Sequence, residues 1–199
     1  MLKKSIPIHS YSGEYSKNNT TNKKALARDF NHRCAYCDDL DAVAGGFKSY
    51  HVEHFAPKKK FPSLKYTYEN LLYACPFCNN AKSEDWPSES PDKNIVGNTG
   101  YVKPCDPKYA EHLDRDEKGK IFFKTDLGEY MYNHLKLYLR RHEIIFMLDL
   151  LKVKRDHLEV MINKEKLEGK DYSKKEAILN SLDKEFFNYY TQFLSVQSE

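Results

Sequence analysis

Two patterns in this chain have the residue types and spacing to do chemistry. The first is a pair of Cys-x-x-Cys knuckles, Cys34/Cys37 and Cys75/Cys78. A tight turn within each pair lets both sulfurs reach one ion, and two pairs complete the tetrahedron that zinc prefers. Four thiolates leave no coordination position open, so this zinc is expected to be structural. Residues 38–74 separate the pairs, more than a simple zinc ribbon spans, so an extra unit must be inserted between them. The second pattern, "SYHVEHFAPKKK" at residues 49–60, lies in that insertion and gathers His51, Glu53 and His54 ahead of Lys58, Lys59 and Lys60. A neutral imidazole can accept a proton near neutral pH, and lysines can contact a nucleic-acid backbone. In a regular strand His51 shares a face with Glu53, which leaves open whether it joins a metal or only hydrogen-bonds.

The chain around these residues must be large enough to position them. It has 199 residues, of which 40% are hydrophobic and 14% aromatic, enough for one packed core and too many for a disordered chain. A formal net charge of +3 permits an anionic partner without requiring one. No apolar run reaches the roughly 18 residues of a membrane span, and the N-terminal stretch lacks the apolar segment of a secretory signal. The chain therefore reads as cytoplasmic. In such a reducing setting paired cysteines bind metal or do redox work, and the unpaired Cys105 reads as a free thiol.

Along the chain, residues 1–18 are polar and read as a tail, or as an arm against a partner. "TTNKKALARDF" predicts a helix with Ala25, Leu26 and Phe30 inward. Gly45-Gly46 predicts a hairpin turn into the strand "FKSYHVEHF", and Pro57 and Pro62 break the segment after it. "NLLYACPFCNNAKSED" runs through the second knuckle into a short helix. Residues 19–90 thus form a core unit, and residues 91–126 a connection ending in a small hairpin with its turn near Gly119. Residues 127–199 form a helical module. In that module Ile144, Leu148, Leu151, Leu158 and Ile162 recur at helical spacing. A last helix starts at Ser173, with Glu176 completing a capping box and a stripe of Ile178, Leu182, Phe186, Tyr189, Phe193 and Val196.

The order Glu53-His54, Phe55-Ala56-Pro57, Asn70-Leu71, Cys75-x-x-Cys78, Asn79 and Lys82 resembles the HNH endonuclease motif with its zinc knuckles, over about residues 34–82. The resemblance implies an α+β fold: a ββα-metal core on a zinc knuckle pair, followed by a mainly helical C-terminal module. It also implies phosphodiester hydrolysis with a catalytic Mg2+ or Mn2+ beside the structural Zn2+. In that frame His54 is the general base, Glu53 and Asn79 hold the ion, and Asn70 ties the connecting loop and orients His54. Lys58 and Lys82 are the expected nucleic-acid contacts. Glu53 stands where the family commonly has aspartate, and Asn79 where it commonly has histidine; an asparagine oxygen still suits a hard cation.

The segments "HVEHFAPK", "KPCDPKYAEHL" and "GKIFF" extend the resemblance, to about residue 155, to the PtuB-like HNH proteins of retron-associated and Septu-type antiphage systems. This implies an effector nuclease, with DNA favoured over RNA as substrate. It further implies an ABC/SMC-like, PtuA-like ATPase docked on the helical module. A reading from another class is a zinc-stabilised nucleic-acid-binding or adaptor module without catalysis. The joint presence of His54, Asn70 and Asn79 in motif order favours the enzyme.

Overall fold

The structure is a computed structural model that describes residues 2–10 and 19–196. Helix α1 (Asn19–Asp29) places Ala25 and Leu26, with Phe30 just beyond its end, against the small sheet that follows. The first knuckle is closed by a backbone hydrogen bond from Cys34 N–H to the Asp39 carbonyl, and it joins the sheet through Ala35 N–H to the Tyr73 carbonyl. Gly45 and Gly46 both take positive φ and do make a turn. The strand expected from Phe47 onward does not follow it, however. The Ser49 hydroxyl donates to the carbonyls of Ala44 and Gly46, and the chain coils into the short helix α2 (Gly46–Ser49). Extended backbone begins only at β1 (His51–His54).

Strand β1 pairs antiparallel with β2 (Leu71–Ala74), with His51 opposite Ala74, Glu53 opposite Leu72 and His54 opposite Leu71. All of β2 is buried, while β1 is an edge strand whose side chains reach a cleft. Helix α3 (Pro76–Lys82) then packs on β1. Its start is dictated locally: Pro76 occupies the first turn, where no N–H is needed, and the Cys75 sulfur accepts from Cys78 N–H. Two strands, one helix and the two knuckles thus form a mixed α and β core.

A largely irregular stretch follows, relieved by the two-residue strands β3 (Ile95–Val96) and β4 (Thr99–Gly100) and the short helix α4 (Tyr109–His112). The expected hairpin is present as β5 (Leu113–Arg115) and β6 (Ile121–Phe123). Its turn uses Gly119 at φ 88°, where a Cβ would come within 2.8 Å of the Phe146 ring and 2.9 Å of the Glu143 carbonyl oxygen. Only glycine combines that φ with so close an approach. Helix α5 (Asp126–His134) is capped by the Thr125 hydroxyl.

Helix α6 (Arg140–Leu167) buries Ile144, Ile145, Leu148 and Leu151 in its first half. Its second half runs out from the core and is met by antiparallel α7 (Ser173–Val196), with Arg155–Asp183 and Glu165–Lys175 ion pairs along the seam. Two details of the sequence reading change here. Asp171, not the Glu176 of the expected capping box, accepts from Ser173 N–H at the start of α7. The expected stripe is also uneven: Ile178 is 54% exposed, whereas Phe186, Tyr189 and Val196 pack on the core beside buried Phe193.

Residues 2–10 are not a free tail. Leu2 is 1% exposed, the Lys3 ammonium donates to the Pro104 carbonyl at 2.7 Å, and His9 Nε2 donates to the Leu71 carbonyl at 2.7 Å. Polar composition suggested solvent exposure, but each of these polar groups has a specific buried partner. Residues 11–18 of the expected tail lie outside the described residues.

Candidate active site

The four knuckle sulfurs lie within 4.8 Å of one another and are buried. Cys37 Sγ and Cys75 Sγ stand 3.8 Å apart. Sulfurs about 2.3 Å from a central ion subtend a tetrahedral edge of about 3.8 Å, so the cluster has the dimensions of a zinc site. The backbone already treats these sulfurs as acceptors, since Cys75 N–H donates to Cys34 Sγ and Cys78 N–H to Cys75 Sγ. Burial, together with the neighbouring thiols, holds Cys37 well above the ordinary thiol value. Without a cation the set would therefore retain protons that a dication would displace.

Around the cluster lie residues to which the sequence had assigned nothing. His142 is 1% exposed and donates through Nδ1 to Asp39 Oδ2 at 2.8 Å, and the Arg115 guanidinium donates to the Cys37 carbonyl at 2.6 Å. Cys37, Asp39 and His142 could themselves converge on an ion. They share Cys37 with the four-thiol set, so they form its outer wall and not a separate site. Through these contacts α6 and the β5–β6 hairpin hold the first knuckle in place. Cys105 is a free thiol pushed up to about 11 by burial, away from reactivity at neutral pH.

The second pattern lines an open cleft of ≈ 350 Å³ formed by β1, the loop after it and α3. His51, Glu53, His54, Lys58 and Asn79 all border it. His54 Nε2 lies 3.0 Å from the Lys65 carbonyl oxygen. A carbonyl can only accept, so the proton sits on Nε2 and the lone pair on Nδ1. Burial, reinforced by Lys58, Lys82 and Lys65, lowers the His54 pKa below 6.5 and keeps the ring neutral at pH 7.

Asn70, buried at 7% exposure, is the staple of the loop between the strands. Its Oδ1 accepts from Ala56 N–H at 2.8 Å, and its Nδ2 donates to the carbonyls of Ala56 and Leu64 at 3.0 and 3.3 Å. Leu64 directly precedes Lys65, so the same amide that pins β1's exit also fixes the carbonyl orienting His54.

Glu53 is 6% exposed; its Oε1 accepts from Tyr36 at 3.4 Å and lies 3.1 Å from Lys82 Nζ. Burial raises its pKa despite the ammonium beside it. Lys82 itself corrects an expectation. It is 0% exposed, also bonds the His54 carbonyl, and lies beneath the rings of Tyr101 and Trp86 at 5.4 and 5.9 Å. A phosphate cannot reach it there. Its side chain is covered by the rings of Trp86 and Tyr101, from a connection whose path no local pattern foretells. Lys58 fits the surface role better. It is exposed on the cleft, whereas Lys59 and Lys60 pair with Glu84 and Glu89.

Of the donors lining the cleft, the Glu53 carboxylate and the Asn79 amide oxygen are hard and the His51 and His54 imidazoles borderline. The oxygen pair suits Mg2+ or Mn2+, which keep several waters, better than a soft ion. Tyr36 and the Lys65 carbonyl went unnoticed in the sequence. The first is an ordinary core tyrosine by type, and the second is a backbone group that any residue supplies.

Residues 34–85, which include both knuckles, β1, β2 and α3, match the family model described as HNH endonuclease. The chain is similar to the Septu protein PtuB of Bacillus mycoides (strain KBAB4), 27% identical over 168 residues that cover 70% of this chain and 51% of PtuB. It is also similar to the Septu protein PtuA of the same strain, 28% identical over 141 residues, or 58% of this chain and 19% of PtuA. The chain thus spans about half the length of the first relative and far less of the second. No solved structure matches it. The resemblance to HNH and Septu-type proteins therefore rests on comparisons beyond the motif itself. No helix among the described residues is long and apolar enough to cross a membrane.

Proposed function

We propose that this chain is a metal-dependent endonuclease that hydrolyses phosphodiester bonds, DNA in preference to RNA, as the effector of an antiphage defence system. The observation carrying the proposal is the anchoring of His54 Nε2 on the Lys65 carbonyl, which leaves Nδ1 basic in a cleft shared with Glu53 and Asn79. Glu53 and Asn79 would hold a Mg2+ or Mn2+ ion, which when bound supplies charge stabilisation for the phosphate and the leaving oxygen. His54 takes the proton of the attacking water, an effect of about 10²–10⁴-fold. Asn70 acts as a positioning residue that keeps the His54 anchor in register, and Lys82 holds Glu53 from behind. Lys58 meets the nucleic-acid backbone at the cleft's rim. Zinc in the four-cysteine cluster has a structural role.

An ABC/SMC-like, PtuA-like ATPase partner on the helical module accords with the apolar side chains that α6 and α7 leave in solvent. Val160 is 69% exposed, Leu167 91% and Phe187 63%. The similarity to Septu proteins supports the same assignment. The test is cleavage of DNA and RNA by the purified chain in magnesium and in manganese, alone and with a PtuA-like ATPase. Absence of cleavage in every combination would leave the second reading, a non-catalytic zinc-stabilised nucleic-acid-binding or adaptor module. The deep burial of Glu53 against Lys82 is the observation favouring that alternative.

A further inference from the structure

A second and larger cleft, of ≈ 630 Å³, lies beside the first, between α3 and the connection from α5 to α6. Asn80 borders both clefts, so the two adjoin along α3. Phe77 and Tyr138 line the larger one and are 45% and 52% exposed. Rings of this size are normally buried. Left open in a cleft, they offer flat platforms for other π-systems. The lining also carries three cations, Lys136, Arg140 and Arg141, and no carboxylate. Arg140 bonds the neutral Gln192, so its charge is not cancelled there. Arg141 is 8% exposed with its guanidinium 3.5 Å from the Phe77 ring centroid. Its Nη1 is buried and pairs with the buried Asp39 carboxylate 3.8 Å away, so it is not open to the cleft. Lys136 and Arg140 are exposed and remain available to an anion entering the cleft, and a phosphate oxygen is an acceptor that suits a guanidinium.

We infer that this cleft is a subsite for single-stranded nucleic acid, adjoining the proposed cleavage site and resting on the nuclease reading of it. Unpaired bases stack on Phe77 and Tyr138 while the backbone runs against Lys136 and Arg140. The rings select an unpaired strand because bases inside a duplex present no free face. The cations select nucleic acid over an apolar protein segment, which would cover the Lys136 and Arg140 charges without supplying acceptors.

The test is a binding measurement in the zinc-loaded His54→Ala chain without Mg2+ or Mn2+, using fluorescein-labelled single-stranded DNA and RNA oligonucleotides and a duplex of the same length. Phe77→Ala and Tyr138→Ala remove exposed rings, so zinc content and melting temperature should confirm intact folds. Each should weaken single-strand binding by roughly 5- to 150-fold, the effect of one lost stacking partner, and duplex binding by less than about twofold. Lys136 sits at φ 54°, a conformation asparagine tolerates. Lys136→Asn should therefore fold, and should reduce the salt dependence of single-strand binding by about 0.7 in log–log slope. Unchanged single-strand affinity in both ring variants overturns the subsite, including the case in which a protein fills the cleft. Equal losses on duplex also overturn it. Because binding is read without catalysis, a chain that never cleaves still gives this answer, and cleavage by the unsubstituted chain decides the nuclease reading separately.

Discussion

Lys82 and Glu53 form a buried ion pair 3.1 Å apart, with side chains 0% and 7% exposed, and breaking it should be among the most costly single changes in the core. Lys82→Met keeps most of the volume and removes the charge. At an effective dielectric of about 20, unit charges at this distance attract by about 5 kcal/mol. Removing one partner of a buried pair typically costs about 3–5 kcal/mol, because the other charge is left uncompensated. The two figures agree, so a loss of about 3–5 kcal/mol is expected. For a domain of this size that corresponds to a fall of about 6–20 °C in melting temperature. Replacing both partners, as Lys82→Met with Glu53→Leu, should recover most of the loss, since an apolar pair of similar volume is often neutral or better.

Acid should moderate the single variant's deficit. Burial already raises the Glu53 pKa, and losing Lys82 removes the main opposing influence. The folded variant then binds a proton more tightly than the unfolded chain. Its deficit is largest at neutral pH and shrinks as the pH falls toward protonation of Glu53. The assay is urea denaturation of the zinc-loaded single and double variants at neutral and mildly acidic pH. A loss below about 1 kcal/mol for Lys82→Met, or a double variant whose losses simply add, would refute a coupled buried pair.

His54→Ala should leave the melting temperature nearly unchanged while single-turnover cleavage falls about 10²–10⁴-fold and nucleic-acid binding persists; full cleavage would remove His54 from the mechanism. Because the His54 pKa is lowered, its base form should persist below pH 6.5, with cleavage declining only as the pH drops through that lowered value. An acid limb centred above 6.5 in the pH–rate profile would contradict this. Asn70→Asp keeps the acceptor for Ala56 N–H but loses both donated bonds, so stability should drop by about 1–3 kcal/mol. Cleavage should drop with it, measured by denaturation and single-turnover kinetics. Purified protein should contain about one zinc per chain by elemental analysis, and Cys75→Ser or a strong chelator should unfold it.

The readings that succeeded from sequence were those whose cause is local. The Cys-x-x-Cys spacing brings two sulfurs together within one turn, and the segment through the second knuckle runs into a short helix. Gly119 marks the hairpin turn and Ser173 opens the last helix, as the structure has them. The order of His54, Asn70 and Asn79 carried the resemblance to a nuclease family, and residues 34–85 match that family. Tertiary packing alone decided that Lys82 faces inward, because the covering rings of Trp86 and Tyr101 come from a loop whose path no short pattern encodes. It alone set Asp39 against His142 across 103 positions of sequence, and drew residues 2–10 out of solvent. The carbonyl that orients His54 belongs to Lys65, and a backbone oxygen leaves no trace in residue identity. Residue types state which groups a chain can bring to bear, and short spacings state which of them must meet. Contacts between distant segments depend on the whole balance of burial against desolvation, and only the folded chain shows how that balance falls.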